Sequence, residues 1–227
     1  MENTMKSKWE SLHAQRRFRP KYPGEEAVQF LFGNFKRDGS EKVLDLGCGG
    51  GRHTLLMANE GIIPYGIDIS GEGVKHTREL LRENGHDRFV DNIVCGSFDK
   101  LPWEDNFFDG ILAYGTLYYG DSSVHQAAIR EMYRSTAPGG VCWAMVRGHE
   151  DYRYGQGREI EPNTFVIDIT DERASASAEA GMAMHFFAPD ELKELFKDFA
   201  SMQIDVKTFS RVGGEFLNFD YVVTARK

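Results

Sequence analysis

Apolar residues in the central part of the chain follow two different spacings. Continuous or alternating apolar runs predict five short strands, at residues 42–46, 62–69, 89–95, 107–114 and 141–147. Between these runs, apolar residues recur three or four positions apart, as in 74–81 and 124–132, which predicts helices. Strands that alternate with helices are typical of a parallel sheet with helices on both faces. We therefore predict a doubly wound α/β architecture.

Two of the predicted helices begin with a capping signal. Ser70 follows the second strand and can accept a hydrogen bond from the first turn of the next helix. Ser123, with Gln126 three residues later, has the spacing of a capping box. We expect the two helices to begin directly after these serines.

Two segments flank or interrupt the alternating pattern. Residues 1–36 start with a polar, basic stretch that contains several aromatic residues, and we expect them to cap the core. Residues 149–187 are polar, with one short predicted strand at 164–169. An insert after the fifth strand would lie over the crevice where open α/β sheets bind ligands. We expect the whole chain, residues 1–227, to form one domain.

Charge and cysteine content limit the class of partner. The formal net charge is −8, and an acidic surface repels phosphate backbones, so we expect no nucleic-acid substrate. Cys48, Cys95 and Cys142 have no zinc-binding spacing, and no His, Asp or Glu cluster predicts a metal site. The first residues lack the apolar stretch of a secretory signal, and no apolar run reaches the ~20 residues of a membrane span. We expect a cytoplasmic monomer or homodimer without membrane contact.

A glycine-rich turn follows the first predicted strand. In residues 47–52 (GCGGGR), the missing Cβ atoms let the backbone approach a ligand at the start of a helix. Asp68 ends the next strand, 23 residues after Asp45, and a carboxylate there can accept both hydroxyls of a ribose. The turn is also compatible with a structural strand-to-helix connection. A dinucleotide site is a further alternative, although Arg52 occupies the last position of G-x-G-x-x-G.

Four motifs follow one another in the order of a known family. They are VLDLGCGGGR at 43–52, GIDIS at 66–70, GSFDKLPW at 96–103 with DNFFD directly after Glu104, and PGG at 138–140. Together they resemble the class I (Rossmann-like) S-adenosylmethionine (SAM)-dependent methyltransferases. The resemblance covers residues 40–148 well and the C-terminal strands loosely.

The resemblance implies a seven-stranded, mostly parallel sheet with helices on both faces. In this family a reversed seventh strand lies between strands five and six. Two predicted strands at about 203–209 and 216–225, which can pair as a hairpin across Gly213-Gly214, fit that arrangement. The expected fold is therefore a doubly wound sheet with an antiparallel C-terminal hairpin strand.

The resemblance also implies the residues that bind the cofactor. Asp68 would accept hydrogen bonds from the ribose hydroxyls, and Ile69 would pack on the adenine ring. Ser97 stands where the family often has aspartate, so the contact to the adenine amino group would be weaker. Tyr114 would face the sulfonium. The full set of cofactor residues is Tyr22, Asp45, Gly47, Cys48, Gly49, Asp68, Ile69, Ser97, Phe98, Tyr114 and Gly115.

Candidates for acceptor binding and catalysis are spread over three segments. Arg17 and its neighbours would suit an anionic acceptor, but they could also form a solvated basic tail. Tyr119 could contact the acceptor or pack against the sheet. His149 is the first choice for a general base, because histidine titrates near neutral pH, although a hydrogen-bonded structural histidine is the alternative. The substrate candidates are Arg17, Arg19, Tyr119, Arg147 and His185, and the catalytic candidates are His149 and Tyr119.

These inferences favour a SAM-dependent methyltransferase that modifies oxygen or nitrogen of a small molecule. Methyl transfer of this kind depends mainly on proximity and on removal of water. The alternatives are a non-catalytic SAM-binding module or partner subunit, and an NAD-type oxidoreductase. Binding of SAM without turnover would indicate the module, and binding of NADH would indicate the oxidoreductase. His13 and His125 are predicted to lie at the surface.

Overall fold

The computed structural model describes residues 2–227. Its helices are α1 Glu2–His13, α2 Glu25–Asn34, α3 Arg52–Asn59, α4 Gly71–Glu83, α5 Ser122–Ser135 and α6 Pro189–Leu195. Its strands are β1 Lys42–Leu46, β2 Ile63–Asp68, β3 Ile93–Cys95, β4 Phe108–Tyr114, β5 Thr136–Arg147, β6 Gly157–Glu161, β7 Thr164–Ile167, β8 Ala183–His185, β9 Ser201–Arg211 and β10 Phe216–Arg226. Across these residues, every helix is too short or too polar to cross a bilayer.

The main sheet has seven strands in the order β3-β2-β1-β4-β5-β10-β9. The first five of these pair in parallel, whereas β10 is antiparallel to both β5 and β9. The reversed strand β10 therefore lies between β5 and β9, as the resemblance implied. This topology confirms the predicted doubly wound α/β fold.

Both faces of the sheet are covered by apolar packing. Along β4, Ile111 and Ala113 belong to the cluster that includes Met132 of α5, whereas Leu112 belongs to the cluster that includes Leu31 of α2. Successive side chains of a strand point to opposite faces, so a strand buried on both sides needs apolar residues at consecutive positions. This requirement explains the continuous apolar run in the sequence.

The third strand is shorter than predicted. Residues Asp87–Asn92 form a 3₁₀ helix, and only Ile93–Cys95 pair with β2. Phe89 and Val90 are buried in one cluster with Leu81 of α4. An apolar run of this length fits a buried helical turn as well as a strand, so the pattern predicted the burial but not the conformation.

One of the two predicted helix caps is confirmed and the other is wrong. Ser70 Oγ accepts a hydrogen bond from Gly73 N at 3.0 Å. Helix α5, in contrast, begins at Ser122, and the carboxylate of Asp121 accepts hydrogen bonds from the backbone N–H groups of Ser123 and Val124. A charged carboxylate at the helix N-terminus is favoured by the helix dipole, which explains why the helix begins two residues earlier.

Residues 149–187 contain a small antiparallel sheet in the order β6-β7-β8. Strand β7 overlaps the predicted strand, whereas β6 and β8 were not predicted. Met184 of β8 pairs with Tyr119, and Phe187 pairs with Gly148. These bridges place the small sheet beside the carboxyl ends of β4 and β5.

Candidate functional site

A cavity of about 320 Å³ lies at the carboxyl ends of the central strands. Its wall includes Gly47 after β1, Asp68 at the end of β2, Gly96 after β3 and Gly115 after β4. In the strand order, β1 and β4 are neighbours at the point where the chain reverses its direction across the sheet. Ligands of doubly wound folds bind outside the carboxyl ends of the strands at this switch point.

The turn after β1 brings bare backbone to the cavity wall. Gly47 has a φ of 76°, and a Cβ at this position would lie 2.3 Å from Thr116 Oγ1. The backbone N–H groups of Gly47 and Cys48 both donate to the carbonyl oxygen of Ile67, at 2.8 and 3.0 Å, which joins the turn to β2. Only glycine fits position 47 without a clash with Thr116, and the backbone of Gly47 forms part of the cavity wall.

The carboxylate of Asp68 is oriented by backbone donors. Its Oδ2 accepts a hydrogen bond from Gly49 N at 2.8 Å, and its Oδ1 accepts one from Ser70 N at 2.9 Å. Burial raises the pKa of Asp68, while the nearby His13 and the two N–H donors act in the opposite direction. Each carboxylate oxygen has a second lone pair, so the group can still accept two hydrogen bonds from a diol.

Helix α1 covers the cavity. Met5, Trp9 and His13 recur every four residues, which places them on one face of the helix, and all three line the cavity. His13 is 6% exposed, so the prediction that it lies at the surface is wrong. Burial lowers the pKa of the His13 imidazole.

A single carboxylate attaches α1 to the first turn of α4. Glu10 accepts hydrogen bonds from Ser70 Oγ at 3.0 Å, Gly71 N at 2.8 Å and Glu72 N at 2.9 Å. Partial burial opposes ionisation, but these three donors together lower the pKa of Glu10. A carboxylate at a helix N-terminus is stabilised by unpaired N–H groups and the helix dipole. Glu10 therefore fixes the helix that covers the cavity.

The wall on the β4 side is aromatic and acidic. Tyr119 and Asp121 come from the segment between β4 and α5, and Ala183 comes from β8. The ring of Tyr119 packs edge-to-face against Trp9, with 5.0 Å between centroids. Helix α1 and the small sheet of residues 149–187 therefore meet over this wall.

The structure brings eight of the predicted site residues together in the cavity lining. They are Gly47, Gly49, Asp68, Ile69, Ser97, Phe98, Gly115 and Tyr119. Each of them ends a strand of the main sheet, follows one, or stands in the connection after β4. The carboxyl ends of the parallel strands lie at this one edge of the sheet.

The predicted residues of the basic N-terminal segment lie outside the lining. Tyr22 is 74% exposed, and Arg17 stacks over the ring of Phe18. Arg19 lies beside the glycine turn, where a Cβ at Gly50 would be 3.1 Å from the Arg19 Cβ, but it does not reach the cavity. Residues of α1, and not of this segment, line the cavity, so the closing role of the segment stays a prediction.

Three further predicted cofactor residues lie outside the cavity lining. Asp45 accepts a hydrogen bond from Thr54 Oγ1 at 2.7 Å, which joins β1 to α3, and burial raises the pKa of Asp45 to about 6. Cys48 is buried outside the lining. Tyr114 points to the opposite face of the sheet, where its ring stacks on Trp143 at 5.6 Å. These side chains stabilise the strands that carry the site.

The two predicted histidines are bound within the segment around β7 and β8. His149 Nε2 lies 3.1 Å from the carbonyl oxygen of Phe186. His185 is buried, with Nδ1 2.7 Å from Thr164 Oγ1 and Nε2 2.9 Å from Glu191 Oε1. Neither imidazole lines the cavity, so the structure gives His149 the hydrogen-bonded, structural placement rather than that of a general base.

Arg147 is likewise engaged away from the cavity. Its Nη1 donates to Asp151 Oδ2 and to Asp220 Oδ1, both at 3.0 Å. Arg147 is only 8% exposed. Two buried carboxylates compensate its charge, so it is not directed at a ligand in the cavity.

The charged side chains in the lining are acidic. They are Asp68, Asp99 and Asp121, and in the part of the chain that the structure describes no lysine or arginine joins them. The cations expected for an anionic acceptor therefore lie elsewhere. A wall of this charge favours neutral or positively charged ligands.

Several lining residues were not predicted from the sequence. Met5, Trp9 and His13 are spaced four residues apart, in a segment without proline or glycine. This spacing predicts a helix. Asp121 is hidden by the apparent capping box that follows it. Ala183 gives no signal, because its place in the wall depends on the pairing of β8 with the main domain.

The central part of the chain matches a known family. Residues 44–144 match the family model described as "Methyltransferase domain". This segment includes the glycine turn, Asp68 and the connection that carries Tyr119.

Two named methyltransferases are similar to this chain in sequence. Demethylmenaquinone methyltransferase from Geobacillus stearothermophilus is 27% identical over 182 residues, which cover 75% of this chain and 74% of that protein. Glycine N-methyltransferase from Mus musculus is 25% identical over 140 residues, which cover 57% of this chain and 47% of that protein. The chain thus spans about half the length of the mouse relative.

Solved structures share the fold. A SAM-dependent methyltransferase from Methanosarcina mazei has a TM-score of 0.67 at 22% identity, covering 87% of this chain and 96% of that one. The 1,6-didemethyltoxoflavin-N1-methyltransferase from Burkholderia thailandensis, solved with its substrate and S-adenosylhomocysteine (SAH), has a TM-score of 0.66 at 17% identity, covering 100% and 87%. The family match over residues 44–144 and the shared fold make this chain similar to the class I SAM-dependent methyltransferases.

Replacing Glu10 with alanine should weaken SAH binding about 10-fold. The substitution removes three hydrogen bonds that hold α1 over the cavity, and loss of a helix-capping side chain costs about 0.5–2 kcal/mol. Isothermal titration calorimetry with SAH measures the change. Glu72→Ala is the matched control, because this exposed glutamate stands at the same helix terminus and its backbone N–H is retained. Equal affinities of the two variants would show that Glu10 does not fix the cover.

Proposed function

We propose that this protein transfers a methyl group from SAM to nitrogen or oxygen of a small, largely apolar acceptor that is neutral or cationic. The observation that carries the proposal is the composition of the cavity lining. It combines the glycine turn and Asp68 with the aromatic side chains of Trp9 and Tyr119. The acidic groups of this wall disfavour a carboxylate or phosphate on the acceptor, which replaces the anionic acceptor expected from the arginines.

The residues fit the cofactor by their own chemistry. The Asp68 carboxylate has two free lone pairs for a ribose diol, and Gly47 and Gly49 present their backbone to the cavity. When bound, SAM supplies an electrophilic methyl group on a sulfonium. Ile69 and Phe98 provide apolar surface for the adenine ring on the β2–β3 side of the cavity.

The chain's own contribution to the reaction is alignment and exclusion of water. Helix α1, fixed by Glu10, covers the cavity, and Trp9 packs directly on Tyr119 in the lining. Orientation of two reactants in a closed site can account for several kcal/mol of the barrier. The negative wall also favours the positive charge that the sulfonium carries.

Cofactor binding can be followed through Trp9. We expect SAH to quench tryptophan fluorescence with micromolar affinity and NADH to have no effect. Trp9→Phe should remove the signal, whereas Trp103→Phe, a change in the aromatic cluster around Tyr65 and Phe108, should retain it. A response to NADH but not to SAH would overturn the proposal in favour of an oxidoreductase.

The acceptor class is tested by SAH release. A panel of amines, phenols and quinols is assayed next to analogues that carry an added carboxylate or phosphate. We expect turnover with neutral or cationic members and at least 10-fold lower kcat/KM for the anionic analogues. Turnover confined to anionic acceptors would contradict the proposed class, and SAH binding without any turnover would favour a non-catalytic SAM-binding module.

A further inference from the structure

Behind the cavity wall, the hydroxyl group of Tyr119 is held by a partly buried carboxylate. Tyr119 is 6% exposed and lines the cavity, and its hydroxyl donates a hydrogen bond to Glu179 Oε1 at 2.9 Å. Glu179 does not itself line the cavity and lies at the end of the 3₁₀ helix Ser175–Glu179. It is the only hydrogen-bond partner of this hydroxyl within residues 2–227.

Glu179 is fixed by an arginine that is almost fully buried. Arg153 is 1% exposed, and its Nε donates to Glu179 Oε2 at 2.7 Å. The guanidinium also donates to Asp151 Oδ1 at 3.0 Å, Ser175 Oγ at 3.1 Å and Asn218 Oδ1 at 3.2 Å. With Oε2 of Glu179 bound by Arg153, Oε1 is the oxygen that accepts from the phenol.

This arrangement determines the direction of the Tyr119 proton. A phenol has one proton and two lone pairs, and the proton is committed to Glu179. The phenol oxygen can therefore only accept further hydrogen bonds. Burial, together with the neighbouring carboxylate of Glu179, raises the pKa of Tyr119, so the group keeps its proton.

The buried charges behind the wall have one excess carboxylate. Arg147 and Arg153 face Asp151, Asp220 and Glu179, and all five belong to one connected network. Glu179 is the carboxylate of this network that contacts Tyr119, and its negative charge favours a donor or a cation in front of Tyr119 over an anion.

Strand order places Tyr119 on the β4 side of the cavity, away from Asp68. Asp68 ends β2, which is separated from β4 by β1, and neighbouring strands are about 4.8 Å apart. If the cofactor binds with its ribose at Asp68 and its adenine toward β3, its other half would extend toward β4. Tyr119 stands in the connection that follows β4.

We propose that Glu179 is a positioning residue that holds the Tyr119 oxygen as a hydrogen-bond acceptor for an N–H or O–H group at the methyl-transfer point. This inference rests on the proposed function and deepens it. The site then selects acceptors whose reacting atom carries a proton, such as amines and hydroxyl compounds, and discriminates against carboxylates and other reacting groups that lack one.

The test uses two cofactor analogues and needs no acceptor. Sinefungin resembles SAH but carries an amine-bearing carbon in place of the sulfur, so it presents N–H donors at the transfer point. Affinities for SAH and sinefungin are measured by calorimetry for the unmodified protein and for Tyr119→Phe, Glu179→Gln and Tyr118→Phe. Tyr118 is the matched control, because it is the adjacent buried tyrosine and does not line the cavity.

Glu179→Gln keeps the size of the side chain but reverses the hydrogen bond. Arg153 retains the remaining oxygen, so the new NH₂ group faces Tyr119 and turns the phenol proton toward the cavity. We expect Glu179→Gln and Tyr119→Phe each to lower the preference for sinefungin over SAH at least 10-fold. In Glu179→Gln, which changes a residue outside the lining, SAH affinity should stay within about 3-fold of the unmodified protein. The double variant should lose no more than either single one.

The outcomes separate this inference from the proposed function. If the unmodified protein fails to bind SAH, the proposed function is wrong. If SAH binds but the sinefungin preference is unchanged in Glu179→Gln, or Tyr118→Phe lowers it equally, the positioning role is overturned. SAH affinity retained in each variant shows that the cavity is still folded.

Discussion

An Asp68→Ala variant is expected to bind SAH on the order of 100-fold more weakly than the unmodified protein. The carboxylate stands at the carboxyl end of β2, its two oxygens are oriented by Gly49 N and Ser70 N, and each keeps one lone pair for a ribose hydroxyl. Loss of two hydrogen bonds to a charged acceptor costs about 2–3 kcal/mol, which corresponds to this change in affinity. Calorimetry with SAH measures it directly.

Asp99→Ala is the control that separates geometry from charge. Asp99 also lines the cavity, so this variant removes one negative charge from the same wall without removing the oriented carboxylate at the end of β2. We expect less than a 5-fold change. Similar losses of SAH affinity in both variants would show that the affinity depends on the overall negative charge of the lining and not on two hydrogen bonds to Asp68. Circular dichroism of Asp68→Ala establishes that the glycine turn remains folded.

The sequence predicts the sheet because the sheet determines where apolar residues must stand. Strand β4 is covered on both faces, so it needs consecutive apolar residues, and β1 leads directly into a turn that only glycine can form. Asp68 could be assigned in advance for the same reason. In a parallel sheet, the end of each strand reaches the ligand side, whatever the rest of the chain does.

The cover of the cavity could not be predicted in this way. Trp9 lies over the site because Glu10 docks α1 on α4, a contact between residues that are 60 positions apart in the sequence. Glu179 reaches Tyr119 because Arg153 and the small sheet hold it there. Such contacts form between residues that are distant in the sequence, and the local spacing of apolar residues does not predict them.

Arginine and histidine are common in active sites, but whether they act there depends on how they are buried and paired. Arg147 and His149 end the strand that leads to the ligand side, and sequence position alone favours them as substrate or base residues. The structure instead compensates Arg147 with Asp151 and Asp220 and binds His149 to the chain at Phe186. A charged side chain inside a protein needs an ion-pair or hydrogen-bond partner, and a side chain that is bound in this way is not free to contact a substrate.

His125 should make the protein sensitive to mild acid. The side chain is 1% exposed, so the prediction that it lies at the surface is wrong, and its ring packs against those of His185 and Phe187. Burial, with a smaller contribution from His185, lowers the pKa of His125 to about 3. Between pH 6.5 and pH 3 the unfolded chain therefore binds a proton that the folded protein does not. Stability is fully present above pH 6.5 and falls as the pH is lowered.

A His125→Leu variant tests this linkage, because leucine has a similar volume and does not titrate. Each pH unit below 6.5 should cost the unmodified protein about 1.4 kcal/mol through this one group, so its free energy of unfolding should fall relative to the variant by about 3 kcal/mol between pH 7.5 and pH 4. Urea unfolding at both pH values gives the difference. Subtracting the two curves cancels other titrating groups, such as Asp45, whose pKa is raised to about 6 and which acts with the opposite sign. Parallel curves for the two proteins would mean that His125 takes up its proton in the folded state, which the packing against His185 and Phe187 does not allow without opening the start of α5.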